Sequence, residues 1–320
     1  MAKKWLSLAI SGLILTLIYL NINSIDMIHA LGHVRLHILL IAIISWCPII
    51  ILVALRFLLL LPFSYISIGQ SIQLTLLAST LNLILPAKGG DIAKAFFVQR
   101  YENLPRDTVL AVVVIEKLWD LIGIIAFGSL SFILFNHMPG WILVVFSLSC
   151  LLVLTSILLL SSRHLTIRLY KLTRPFIPHF LHHTVRSLFQ SFRLIQKVHS
   201  KTLISFMFKL ILLTIFISGC HFVQMWLLLT SLGLYLPVFS TIARLPLAVL
   251  AGLIPITFSG AGTRDLALIA LFSPLAPIEI LSAWGILCTA RYFIPAIAGI
   301  PFILKRPLGI RSESTVHDLR

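Results

Sequence analysis

The sequence predicts an all-α polytopic membrane protein, with about six spanning helices and two re-entrant helical hairpins in an inverted repeat. Three observations lead to this fold class. The chain of 320 residues is 59% hydrophobic and 11% charged, with a mean hydropathy of +1.06. Several apolar stretches exceed the roughly 18 residues that a spanning helix needs. Two short segments, 85–94 and 254–265, interrupt the apolar sequence with proline, paired glycines and neighbouring opposite charges.

Long apolar windows mark the predicted spanning helices, and shorter ones lie between them. The long windows are 5–22, 37–60, 109–135, 141–160, 203–231 and 278–304. The shorter windows are 70–86, 242–256 and 265–275. Lys3 and Lys4 precede the first window, as in a signal peptide, but no small-residue cleavage site follows it. We therefore expect this window to be a retained membrane helix.

The distribution of basic residues sets the predicted orientation. Segment 161–202 contains Lys and Arg residues but no acidic residue, which is typical of a cytoplasmic loop. Lysines near the N-terminus and the basic residues after 304 place both termini on the same side of the cell membrane. The formal net charge of +15 reflects this orientation pattern. It does not indicate nucleic-acid binding, because no recognition motif accompanies the basic segments.

Counting crossings from these fixed points leaves two segments that cannot span. The loop 87–108 must be cytoplasmic, so the segment 70–86 begins and ends on that side and forms a re-entrant element over 70–90. The segment 242–275 begins and ends on the outer side, which predicts a second re-entrant hairpin of opposite orientation. This arrangement is the signature of an inverted-repeat transporter.

The predicted organisation is two membrane halves joined by a linker. The halves are residues 1–160 and 203–305, the linker is 161–202, and residues 306–320 form a cytoplasmic tail. Apolar residues in the linker recur at helical spacing between Leu181 and Ile195, which indicates an amphipathic helix. Two interpretations remain open: a linker packed between the halves, or a helix lying on anionic lipid headgroups.

Charges inside apolar windows are the main candidates for a functional site, because charge at membrane depth is costly. Glu116 and Asp120 lie four residues apart on one helix face, so cations must lie opposite them. One interpretation is a set of ion pairs that holds the halves together. The other is a polar cavity in which cations meet an anionic headgroup and carboxylates balance them. The cations would be Lys94, Arg264 and Arg291, and the carboxylates Asp91, Glu116, Asp120 and Asp265.

Other site classes find no support in the sequence. The pair Gly89-Gly90 lacks the P-loop lysine pattern, and Gly260-Ala261-Gly262 lacks the third glycine of a dinucleotide fingerprint. The four cysteines all fall within apolar stretches without metal-ligand spacing. We expect no catalytic residue, no cofactor and no metal ion.

The two glycine breaks and the charged helix resemble the membrane region of lysylphosphatidylglycerol synthases, a flippase-like integral membrane family. The resemblance spans about 5–305 and implies a substrate-binding role for its motif residues. In the first half these are Asn82, Pro86, Gly90, Asp91, Lys94, Glu116, Lys117 and Asp120. In the second half they are Pro255, Gly260, Gly262, Arg264 and Asp265, to which the charge argument adds Arg291.

The chain departs from the family pattern at four motif positions. Asp91 and Asp265 replace Glu, and Lys94 and Lys117 replace Arg, so the sign of each charge is kept while its reach or its planar fork is lost. The soluble aminoacyl-transfer domain is also expected to be absent, because the chain ends soon after the last apolar window.

The resemblance therefore implies a lipid transporter that moves an amphipathic lipid with an anionic or phosphate-bearing head between leaflets. The expected partners are this lipid and enzymes of lipid biosynthesis. Two alternatives remain: a membrane-embedded transferase acting on lipid-linked substrates, with Glu116 or Asp120 as base, and a non-catalytic partner in envelope lipid or glycolipid biosynthesis.

Overall fold

The computed structural model describes residues 24–61, 66–85, 89–98, 106–134, 140–161, 203–253 and 260–304, and singly Thr16 and Arg168. Every regular element in these ranges is a helix, which confirms the all-α prediction. The helices of the first half are α1 (Ser24–Gly32), α2 (Leu36–Ile44), α3 (Trp46–Leu60), α4 (Ile68–Ile84), α5 (Gly89–Val98), α6 (Arg106–Leu134) and α7 (Gly140–Ser161). Those of the second half are α8 (Leu203–Ser231), α9 (Val238–Gly252), α10 (Thr263–Phe272), α11 (Ile278–Ala290) and α12 (Phe293–Leu304).

Three stretches of the described chain are long and apolar enough to cross a membrane. They are Leu36–Leu60, Ile204–Ser231 and Ile278–Leu304. The helices α6 and α7 have 29 and 22 residues, and α6 carries the charged cluster predicted from the sequence. The predicted helix 5–22, the linker helix and the tail 306–320 lie outside the described residues.

Local signals explain where the first break falls. Ser67 caps α4, because its hydroxyl accepts from the Gln70 N–H at 3.3 Å while the Gln70 side chain accepts from the Ser67 N–H at 2.8 Å. No helix breaker follows until Pro86, so α4 runs unbroken to Ile84 and ends in extended backbone at Leu85.

The return arm of this first hairpin lies further along the chain than the sequence predicted. We expected the re-entrant element within 70–90 and a loop over 87–108, but residues 89–98 form α5, which packs on α4. Lys94 lies within the segment that was predicted to be a loop, and its side chain is buried in α5. The apolar residues around Lys94 drive this burial. The topology prediction relied on basic residues and did not take this apolar pattern into account.

The second hairpin consists of α9 and α10, and it packs in the same manner as the first. In each hairpin the first helix contacts a helix of the other half: α4 packs on α12, and α9 packs on α6. The second helix contacts the helix that follows it in chain order, with α5 on α6 and α10 on α11. The halves therefore interlock through their hairpins, which brings residues from both around one interior space.

Close backbone contacts hold these crossings together. Thr80 of α4 donates a hydrogen bond to the Ala296 carbonyl of α12 at 2.6 Å, and Ser131 of α6 donates to the Ala243 carbonyl of α9. A Cβ at Gly299 would lie 2.2 Å from the Leu76 carbonyl oxygen. Glycine at this position therefore lets α12 approach α4 at backbone distance.

Candidate functional site: a charged cavity between the helices

A cavity of about 640 Å³ lies between α3, α4, α5, α6, α8 and the junction of α11 with α12. Its lining combines apolar side chains with four cationic and three acidic ones. The charged lining residues are Arg56, Lys94, Lys117, Arg291, Asp91, Glu116 and Asp120. With four cations against three carboxylates, the cavity carries one formal positive charge.

One face of α3 forms a wall of the cavity. Trp46, Ile49, Ile50, Val53 and Arg56 line it, at the spacing of three and four residues that places side chains on one helix face. Ten residues separate the tryptophan from the arginine, so this wall extends about 15 Å along the helix. The wall is therefore polar at its two ends and aliphatic in between.

Arg56 forms an ion pair with Asp120 of α6 through its Nη2 atom. The arginine is only 1% exposed, and its Nε and Nη1 atoms have no hydrogen-bond partner among the described residues. Buried polar groups are almost always paired, so two orphan donors on one side chain require an explanation.

Lys117 links Asp120 to the first hairpin. Its Nζ lies 3.2 Å from Asp120 on the same helix and 3.0 Å from Asp91 of α5. Asn82 of α4 fixes Asp91 in turn, donating to its carboxylate at 3.2 Å and accepting its backbone N–H at 3.3 Å. A continuous chain of polar contacts thus runs from Arg56 to α4.

Lys94 and Glu116 form a second pair, with 3.3 Å between Nζ and the carboxylate. They are 2% and 3% exposed, and the ammonium lies 3.5 Å from the centre of the Phe57 ring. The aromatic face adds a cation–π contact to the ion pair. The two cavity carboxylates of α6, Glu116 and Asp120, are therefore neutralised within the first half of the chain.

Arg291 reaches the cavity from the second half, where the chain breaks between α11 and α12. Its Nη1 donates to Gln224 at 2.9 Å and to the His221 carbonyl at 3.4 Å, and its Nη2 donates to the Tyr292 hydroxyl at 3.1 Å. The side chain is 6% exposed, and its Nε has no hydrogen-bond partner among the described residues. Trp46, whose buried Nε1 is likewise without a described partner, packs near Tyr292.

The family model for the lysylphosphatidylglycerol synthase transmembrane region matches residues 4–299. The chain belongs to this family. Comparisons with curated proteins and with solved structures give no match. Membership in a family named for a lipid synthase identifies a membrane protein of lipid-related function.

The structure brings together the first-half motif residues of this lysylphosphatidylglycerol synthase-type region. The cavity is lined by Asn82, Asp91, Lys94, Glu116, Lys117 and Asp120. Gly90 does not line it, but a Cβ there would lie 2.2 Å from the Ala78 carbonyl oxygen and 2.5 Å from the Asn82 backbone nitrogen. This glycine allows α5 to pack directly on α4, which places Asp91 beside Asn82. Pro86 lies outside the described residues.

The second-half motif of the family does not reach the cavity, which corrects the expectation that Arg264 would meet Lys94 and Arg291 there. Arg264 binds Asp265 at 2.8 Å, the Gly285 and Cys288 carbonyls at 3.1 and 3.3 Å, and the Thr289 hydroxyl at 2.6 Å. Every guanidinium nitrogen is therefore in use: Nη1 and Nη2 bind α11, and Nε donates to the neighbouring Asp265 of α10. For Arg264 and Asp265, the interpretation as a buried structural ion pair fits the geometry.

The glycines of that second motif shape the turn before α10. Gly260 and Gly262 have φ values of 78° and 101°, which side-chain-bearing residues rarely adopt. The Gly262 N–H donates to the Asp265 carboxylate at 3.1 Å, so this acid caps α10. Pro255 lies outside the described residues.

Sequence reasoning missed Arg56, Gln224 and Trp46 as site residues. Arg56 carried a usable signal, because it is the only charged residue in the apolar sequence of α3. The other two carried none, since an isolated glutamine or tryptophan in an apolar helix is not distinctive. Within the described residues, no three His, Cys, Asp or Glu side chains are arranged to hold a metal ion.

Proposed function

We propose that this protein moves an amphipathic lipid with an anionic or phosphate-bearing head between the leaflets of the cell membrane. The observation that carries the proposal is the charged cavity enclosed by helices whose outer faces are apolar. In the middle of these helices, Ile51 of α3, Phe216 of α8 and Ile297 of α12 are 45%, 57% and 63% exposed. A lipid-facing exterior and a charged interior are the arrangement that a headgroup pathway requires.

The two kinds of lining match the two parts of such a substrate. Cationic groups with orphan donors, on Arg56 and Arg291, suit the oxygens of an anionic head. The aliphatic stretch from Ile49 to Val53 and the facing side chain of Ile124 suit the adjacent glycerol and acyl carbons. A purely structural set of ion pairs would need neither the open volume nor the unpaired donors.

The packing of the hairpins supports a mechanism of alternating access. Each hairpin contacts the other half through its first helix and the next helix in the chain through its second. This equivalence fits the inverted repeat inferred from topology, in which opposite-facing elements take turns in opening the site. In the proposed cycle the headgroup crosses through the cavity while the tails stay in lipid. Transport is either passive or coupled to the movement of an ion.

The proposal makes the protein a transporter and not an enzyme, and the two are separable by experiment. A transferase that used Glu116 or Asp120 as base would form product in detergent, where transport between leaflets has no meaning. Membrane-lipid extracts incubated with the purified protein in detergent should therefore yield no new lipid species by mass spectrometry. A product that disappears in Asp120→Asn would replace the transport proposal with the transferase.

The direct test is reconstitution in vesicles with a short-chain phospholipid that carries a fluorophore on its acyl chain. We expect the wild-type protein to accelerate exchange between leaflets, measured as the fraction of probe that a membrane-impermeant reductant quenches over time. Arg291→Gln should slow exchange about tenfold, the effect of losing one hydrogen bond to a charged group. Lys209→Gln is the control, because Lys209 is exposed on α8 and does not line the cavity. An exchange rate equal to that of empty vesicles would sink the proposal.

A further inference from the structure

Arg56 has hydrogen-bond donors that none of the described residues uses. Its Nε and Nη1 atoms have no hydrogen-bond partner among the described residues, although the side chain is 1% exposed and lines the cavity. Only Nη2 is used, in the pair with Asp120. A guanidinium is a planar fork suited to bidentate binding, so this one is available on the side that Asp120 does not occupy.

Asp120 differs from Arg56 in the freedom that its surroundings leave it. Its side chain is 35% exposed, and its second carboxylate oxygen already accepts from Lys117 at 3.2 Å. If Asp120 left Arg56, it would remain paired with Lys117. Among the described residues Arg56 forms no ion pair with a second acid, because the other cavity carboxylates contact lysines: Glu116 binds Lys94 and Asp91 binds Lys117.

We propose that Arg56 is the phosphate-binding residue of the cavity and that Asp120 is a displaceable carboxylate holding its place. A phosphate group supplies several anionic oxygens in the geometry that the arginine fork accepts, whereas an ammonium group has only donors and finds no partner there. In taking the phosphate to belong to a lipid head, the inference rests on the function proposed above.

The exchange of Asp120 for phosphate explains how a buried arginine can bind a ligand transiently. In the empty cavity Asp120 neutralises Arg56. When phosphate binds, Asp120 moves fully to Lys117 and the arginine is neutralised by the ligand. When phosphate leaves, the carboxylate returns, so Arg56 is never buried without a counter-ion, which would be strongly unfavourable. The competition also keeps binding moderate, as release requires.

Binding in detergent tests the site without requiring transport. The probe is a short-chain phosphatidic acid with a fluorophore on one acyl chain, and the control lipid is the diacylglycerol with the same chains. Arg56→Lys keeps the charge and the contact with Asp120 but lacks the two orphan nitrogens. It should weaken phosphatidic acid binding about tenfold and leave the weak diacylglycerol binding unchanged.

Asp120→Asn gives the opposite sign, which misfolding cannot imitate. Removing the competing carboxylate should tighten phosphatidic acid binding severalfold. Glu279→Gln is the control, because it makes the same change of charge at an acid of α11 that does not line the cavity. Its affinity for phosphatidic acid should equal that of wild type.

The outcomes separate this inference from the proposed function. Unchanged binding in Arg56→Lys, weaker binding in Asp120→Asn, or equal gains in Asp120→Asn and Glu279→Gln would each overturn it. If inorganic phosphate displaces the phosphatidic acid probe, the site is assigned to a free anion. If the probe stays bound in the presence of inorganic phosphate, the site is assigned to a lipid head. The expected binding pattern without leaflet exchange in vesicles would refute transport and leave the Arg56 site standing.

Discussion

Lys94 and Glu116 illustrate how a single buried pair constrains the site. Removing one partner leaves the other charge buried and unpaired, which typically costs about 3–5 kcal/mol, whereas replacing both partners is far better tolerated. We expect Lys94→Met to lower the free energy of unfolding by about 3 kcal/mol. The double variant Lys94→Met/Glu116→Gln should recover about 1 kcal/mol or more, because no isolated charge remains.

Denaturant unfolding of the purified protein in detergent measures both variants. Lys209→Met is the matched control, since that lysine is exposed on α8, and it should stay within about 0.5 kcal/mol of wild type. Equal destabilisation of the single and double variants would show that Lys94 contributes through its packing against Phe57 and not through charge.

At the residue scale the sequence identifies charges but not their partners. Asp91, Lys117 and Asp120 were predicted to belong to one site, and they do contact one another. Arg264 was placed in the same site on equal grounds, yet it binds the carbonyl ends of α11. The pairing depends on which helices pack together, and a local motif does not contain that information.

At the element scale, close packing of α5 on α4 depends on Gly90. A Cβ there would lie 2.2 Å from a backbone oxygen and 2.5 Å from a backbone nitrogen of α4, and neither atom can rotate away. Gly90→Ala should therefore lower the free energy of unfolding by about 2 kcal/mol. It should also slow leaflet exchange, because a displaced α5 carries Asp91 away from Asn82 and Lys117.

Gly140→Ala is the control, since a Cβ at that position meets nothing within 4 Å. Thermal unfolding followed by circular dichroism compares the two variants with wild type. A normal melting temperature for Gly90→Ala would mean that the two helices of the hairpin are not held at backbone distance.

The breaks between these elements were predictable from proline and glycine, because both residues act locally on the backbone. The helix α5 was not, because ten residues with one acid and one base satisfy loop and short-helix patterns equally well. Its assignment depends on burial against α4 and α6, which a single sequence does not reveal.

At the scale of the whole molecule, orientation follows from the count of crossings. Residues 99–108 include Arg100 and Arg106, whereas 135–139 contain no Lys or Arg. By the positive-inside rule, we predict that the chain before α6 is cytoplasmic and the chain after it is external. The re-entrant prediction for the first hairpin depends on this assignment, because it places the end of that hairpin on the cytoplasmic side.

Cysteine accessibility tests the assignment in a variant whose four native cysteines, Cys47, Cys150, Cys220 and Cys288, are replaced by serine. We expect a membrane-impermeant maleimide added to intact cells to label His137→Cys and to leave Tyr101→Cys and Ser312→Cys unlabelled. Inside-out vesicles should give the reverse pattern, because positions 101 and 312 share the cytoplasmic face. Labelling of positions 101 and 137 from the same side would mean that α6 does not cross the membrane. The two halves would then not be related by inversion, which removes the structural basis for alternating access.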